Sequence, residues 1–166
     1  MNRRNFIITL IALAAMAGAT FSTYRYERRA ETAATCPFCE RMVHSVSAYR
    51  LKVDGHEVTA CCPRCGMHAQ LNGEQGNKGN ATATDVMTGE RIAADSATYV
   101  EGGDVEYCTH GQHPVTREPN SVSVREYDRC LPTLAAFKNH EEAELYQKQH
   151  GGRVLSYAET LGSVRK

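Results

Sequence analysis

Hydrophobic positions along the chain fall into short alternating runs instead of long helical stripes. Residues 47–60 read as two strands about the dipeptide Asp54-Gly55, which accepts the left-handed backbone of a tight hairpin. Residues 63–71 read as a short helix with Pro63 in its first turn, where the missing N–H does no harm. Residues 72–80 carry three glycines and three asparagines and break all periodicity, so they read as a loop or flexible linker. A strand is expected over 83–87, with a turn at Thr88-Gly89. Further strands are expected over 97–101 and 105–108, followed by a turn over 109–114. Residues 121–127 alternate strictly, as a half-buried strand does, and 134–137 form an apolar strand. Asn139 is placed to cap a helix, with Glu142 completing a capping box, and Gly151-Gly152 ends that helix. Residues 153–157 read as the last strand and 158–166 as a frayed tail. The pattern predicts an α+β fold of two ββαβ-type units with antiparallel sheets. One unit spans 36–87 and the other 88–158, the second interrupted by an insertion over 104–129, with a tail over 159–166.

The first 35 residues follow a different logic. Asn2, Arg3 and Arg4 form a positive region, and residues 6–19 form an apolar run of signal-peptide length, shorter than the ~20 residues of a confident membrane span. Ala15-Met16-Ala17 supplies an A-x-A cleavage site. Arg3-Arg4-Asn5-Phe6-Ile7 looks like a twin-arginine signal, with ordinary Sec export as the alternative. Uncleaved, the segment over 1–20 is an N-terminal inner-membrane anchor. Residues 21–35 read as a polar linker. The expected location is periplasmic or otherwise extracytoplasmic, an oxidising setting in which thiols need a metal or a reductant to stay reduced.

Charge changes the picture by exclusion. Lys plus Arg number 19 and Asp plus Glu number 19, for a net charge of +0. The basic residues are scattered, so no nucleic-acid partner is expected. No Ser-His-Asp arrangement, phosphate loop or dinucleotide fingerprint stands out, and the chain is not expected to be an enzyme. With no Trp and four Phe, the core is lean, and a bound metal would add stability that each small unit lacks.

Chemistry concentrates in the seven cysteines. Cys36-Pro37-Phe38-Cys39 and Cys62-Pro63-Arg64-Cys65 are two C-P-x-C pairs at the two ends of the predicted hairpin. A hairpin joins its ends, so the pairs are expected to converge as four sulfurs around one tetrahedral ion with ~2.3 Å metal–sulfur bonds, a zinc-ribbon-like arrangement. Disulfides within the pairs and glutaredoxin-like thiol chemistry at Cys36 and Cys39 are the alternatives. For the latter, the residues before Cys36 lack the strand that such a motif follows. Either Zn2+ or Cu(I) suits the thiols. Met42, Met67 and the spare thiol Cys61 add soft donors of the kind Cu(I) prefers, although each Met also suits core packing. His110 and His113 read as a metal pair or as a solvated loop. His68 lies near the cysteine cluster of residues 36–65 and is the first histidine to test, and His44, His56, His140 and His150 read as surface residues. Cys108 and Cys130 are candidates for a disulfide.

Residues 85–94, 97–100, 134–137 and 141–146, leading to His150-Gly151-Gly152-Arg153-Val154-Leu155, resemble the NosL family of nitrous-oxide reductase accessory proteins. That resemblance implies an exported Cu(I) chaperone built of two ββαβ units, with a copper enzyme or its assembly factors as partner. It places the family's C-x-x-C-G-M motif on Cys36, Cys39 and Met42, with Glu40-Arg41 where the family has Gly-Met. The family's methionine of the second half falls near Cys130. Taken with the cysteine and methionine spacing read above, the expected metal set is Cys36, Cys39, Cys62 and Cys65, supported by Met42, Cys61, Met67 and Cys130. A structural zinc-ribbon interaction module and an exported C-x-x-C thiol oxidoreductase are the alternatives.

Overall fold

The structure is a computed structural model that describes residues 35–73, 81–108, 115–116 and 129–165. The segment over 1–20, most of the linker over 21–35, the loop after Gly73, His110, His113 and the expected strand over 121–127 lie outside the described residues. Among the described residues no helix is long and apolar enough to cross a membrane.

The fold is α+β. β1 (Tyr49–Val53) and β2 (His56–Ala60) form the expected hairpin, with Val53 paired to His56. Asp54 and Gly55 take φ of 51° and 82°, the double left-handed turn that their identities permit. Chain direction then reverses through α1 (Pro63–Asn72). β3 (Thr82–Thr84) returns beside β1, and β4 (Arg91–Ala93) pairs with β3. The first sheet therefore runs β2-β1-β3-β4, wholly antiparallel.

A second antiparallel sheet has β5 (Thr98–Glu101) at its centre, flanked by β8 (Leu134–Phe137) and β9 (Arg153–Leu155). Between its strands lie the short pair β6 (Val105–Glu106) and β7 (Val115–Thr116) and the helix α2 (His140–His150). Tyr99, at the middle of the sheet, faces Ala136 on one side and Leu155 on the other. Each sheet thus grows from two strands, a helix and a returning strand. The two are stitched together at Asp85, which forms a parallel bridge to Ala136. The buried Asp85 carboxylate accepts from the backbone N–H groups of Met87 and Thr88 at 2.8 and 2.9 Å and of Lys138 at 2.7 Å. It closes the turn after β3 and fixes that turn to the end of β8.

Two capping expectations need correction. Asn139 does occupy the N-cap of α2, but its side chain makes no capping hydrogen bond, and Glu142 Oε2 is buried without a partner among the described residues. The capping box stands at Ser156 and Glu159 instead. Ser156 Oγ accepts from Glu159 N, and the Glu159 carboxylate accepts from Ser156 N at 2.8 Å. That box starts α3 (Tyr157–Val164), so the expected frayed tail is a helix with Thr160 and Val164 buried. The signature S-x-x-E was present in Ser156-Tyr157-Ala158-Glu159. Gly151 and Gly152, at φ of 75° and 88°, end α2 as expected.

Gly66 marks the closest approach of α1 to the first sheet. A Cβ at this position would lie 2.2 Å from Cδ1 of Tyr49, a ring that is fully buried and has no room to yield. Gly66→Ala is therefore expected to lower stability by about 1–3 kcal/mol, as overpacking of a filled core does. A fall in the urea midpoint with unchanged slope would show it.

Candidate metal centre

The first knuckle is built by Cys36-Pro37-Phe38-Cys39. Glu40 N donates to Cys36 O at 2.8 Å, Cys36 N donates to Arg41 O at 2.8 Å, and Thr35 bridges Met42. The turn requires a left-handed residue at Glu40, whose φ is 61°. That is the conformation glycine takes most readily. The second knuckle lies where β2 gives way to α1. Ser47 Oγ donates to Cys61 O at 2.8 Å and fixes Cys61 in place. Cys62 is the N-cap of α1 in extended geometry, and Cys65 sits in the first turn of that helix.

The hairpin brings the two knuckles together. Cys36 Sγ lies 3.8 Å from Cys65 Sγ, and Cys39 Sγ lies 3.3 Å from Cys61 Sγ. These four sulfurs are all within 4.8 Å of one another. Four sulfurs around one ion stand about 3.8 Å apart when metal–sulfur bonds are ~2.3 Å, so the spacing suits a single thiolate-bound ion. The fourth thiol of this group is Cys61, not Cys62. Cys62 Sγ is buried and lies outside this group, 3.9 Å from Cys61 Sγ.

Residues of the second half complete a further group. Cys108 Sγ lies 3.1 Å and Cys130 Sγ 3.8 Å from Cys61 Sγ, and Cys130 Sγ lies 3.9 Å from Cys39 Sγ. Cys39, Cys61, Cys108 and Cys130 again fall within 4.8 Å of one another. All seven cysteines lie among the described residues and none is in a disulfide. Cys108 and Cys130 form no disulfide, and both approach Cys61.

Basic side chains hold this assembly from outside. Arg129 Nη1 donates to Phe38 O at 2.7 Å, tying the first knuckle to the segment that carries Cys130. Arg41 Nη1 donates to Cys108 O at 3.2 Å and comes within 3.9 Å of Cys108 Sγ. Arg64, one residue before Cys65, reaches Glu101 on β5 and donates through Nε to Pro132 O at 2.6 Å.

Burial and mutual hydrogen bonding split the thiols into two kinds. The Cys36 thiol is pulled down to about 2 by hydrogen bonds from Cys61 and then Cys65, which outweigh its burial. The Cys130 thiol is held far below the ordinary range by Cys108, then by Cys61, Cys62 and Cys65. Burial pushes Cys39 up to about 12. Cys61 is raised through its bonds to Cys108, Cys130 and Cys36, and Cys65 through its bonds to Cys130 and Cys36. Cys62 is raised by Cys108 and then Cys130. Each four-sulfur group thus contains one favoured thiolate, surrounded by thiols that share their protons with it.

The remaining expected donors fall as follows. Met67 is fully buried on α1 and Met42 is half-buried beside the first knuckle. His68 lies on α1 outside both sulfur groups, with its ring against Asn72 Nδ2 at 2.9 Å. His56 and His140 are exposed, as expected. His44 is not a surface residue: it is buried, and its Nε2 has no partner among the described residues. His150 is half-buried, bonded to Asp104 at 2.9 Å and set against the Tyr146 ring.

Fold and site together define an α+β protein with a buried thiol cluster able to hold a metal ion. Its fold is similar to that in the crystal structure of the copper chaperone NosL from Shewanella denitrificans. The TM-score is 0.55 at 16% sequence identity, over 77% of this chain and 90% of that one. No protein-family model and no curated protein sequence matches the chain.

Proposed function

We propose that this chain is a metal-binding accessory protein of NosL type that carries Cu(I) outside the cytoplasm. The carrying observation is a buried cluster of cysteine sulfurs from four separate segments, set in a fold shared with a copper chaperone. Thiolates are soft donors and favour Cu(I) over harder ions. Cys36, Cys39, Cys61, Cys65, Cys108 and Cys130 hold the ion, with Cys62, Met42 and Met67 close at hand in sequence. The site performs no bond-breaking chemistry. Its work is to bind the ion, exclude water and release it by ligand exchange to a thiol- or thioether-bearing acceptor.

Release follows from crowding. Cys61 has sulfur neighbours on several sides at 3.1 to 3.9 Å, so an ion held there has replacement donors within reach. Cys39 is half-buried whereas the other members of both groups are buried. An incoming acceptor therefore meets the ion by way of Cys39. The N-terminal segment over 1–20 directs export or anchors the chain at the inner membrane, and the acceptor is a copper enzyme or one of its assembly factors.

The test is competition under anaerobic conditions. Reduced full-length protein is offered Zn2+ and Cu(I) together with a chromogenic Cu(I) chelator. Cu(I) is expected to displace Zn2+ and to be withdrawn from the chelator. Retention of Zn2+ against excess Cu(I) would mean a structural zinc protein.

A further inference from the structure

The two sulfur groups overlap. They have Cys39 and Cys61 in common, and each adds its own pair: Cys36 and Cys65 on one side, Cys108 and Cys130 on the other. A single tetrahedral ion takes four sulfurs, and six are present. A single ion would leave one outer pair without a metal, either Cys36 with Cys65 or Cys108 with Cys130. In both groups the four sulfurs all lie within 4.8 Å of one another, so spacing favours neither outer pair.

We infer that the pocket binds two soft metal ions at once, with the sulfurs of Cys39 and Cys61 bridging them. One ion is completed by Cys36 and Cys65, the other by Cys108 and Cys130. Thiolate sulfur has lone pairs enough to bind two ions together, and a bridging pair must stand close. Cys39 Sγ and Cys61 Sγ stand 3.3 Å apart, within the ~3.8 Å edge that two sulfurs shared by adjoining tetrahedra span. On loading, every coordinating thiol that still holds a proton gives it to water, and six thiolates face two cations. The Arg41 guanidinium beside Cys108 offsets part of the negative charge that remains. The inference rests on the metal-binding reading above and is independent of delivery to an acceptor.

Co(II) is the probe, added to reduced full-length protein without oxygen. Sulfur-to-cobalt charge-transfer absorption is expected to grow until about two equivalents per chain are bound, two being the number of four-sulfur groups. The magnetic moment per cobalt should fall over the second equivalent, because sulfur-bridged high-spin ions couple antiferromagnetically. The Cys108→Ser/Cys130→Ser double variant should stop at about one equivalent and keep the full single-ion moment. Saturation of the native chain at one equivalent would overturn the inference, as would two equivalents with independent moments. So would two coupled ions in the double variant. A chain that binds one Cu(I) tightly and passes it on would fail this test and still be a chaperone. A chain that couples two cobalt ions but yields Cu(I) to no acceptor would do the reverse.

Discussion

Cys61→Ser lowers Cu(I) affinity by more than about 100-fold, above the ~10–100-fold that loss of a supporting group around a metal ligand costs. The reason is position. Cys61 is fully buried, belongs to both four-sulfur groups and has the sulfurs of Cys39, Cys108, Cys130 and Cys62 within 3.9 Å. Serine keeps the volume and a donor proton but offers a hard oxygen to a soft ion. Cys62→Ser is the matched control one residue away. It removes a thiol outside both groups, and the loss should be tenfold or less on the ~1.4 kcal/mol per decade scale. Chelator competition at fixed pH measures both. Equal losses at the two positions would place the ion nearer Cys62 than the sulfur geometry does.

Glu101→Gln is expected to destabilise the fold by about 3–5 kcal/mol, the usual consequence of leaving a buried charge without its partner. Glu101 is 5% exposed and Arg64 7% exposed. The Glu101 carboxylate accepts from Arg64, from Arg153 Nε at 2.7 Å and from Ser163, so it joins α1, β9 and α3 to β5. Burial opposes its ionisation, but the Ser163 and Arg153 hydrogen bonds and the Arg64 charge prevail and hold it below the ordinary carboxylate value of 4.5. A carboxylate depressed in this way stabilises the fold in full above its unfolded value, and the contribution fades as pH falls through the lower folded value. The gap between native and variant in urea unfolding should therefore be widest near neutrality and narrow below about pH 4.5. A gap that stayed constant through that range would show that packing, not charge, sets the loss.

Local signals made most of the frame legible. Asp54-Gly55 fixed one hairpin, Pro63 the start of α1, and Gly151-Gly152 the end of α2, each through a backbone geometry that few residues accept. The ββαβ pattern and the meeting of the two cysteine knuckles followed from those turns. Ser156 and Glu159 hold a helix start that is readable by the same capping rule, directly after the strand over 153–155. The membership of the sulfur cluster was another matter. The repeated C-P-x-C spacing singles out Cys62, yet Ser47 pins the backbone one residue earlier and Cys61 becomes the centre. Cys108 lies 47 residues beyond Cys61, and Cys130 lies 91 beyond Cys39. Those approaches depend on how the second sheet docks through Asp85 and Glu101. No spacing rule over so many residues encodes such docking. His44 was missed for a related reason, since nothing beside it in sequence shows that the fold closes over it.

A donor set drawn from residues so far apart carries a timing constraint. The ribosome finishes Cys65 well before it reaches Cys108 and Cys130, so a nascent chain offers only part of the pocket. Full capture of metal has to wait until synthesis has passed Cys130 and the two halves have met.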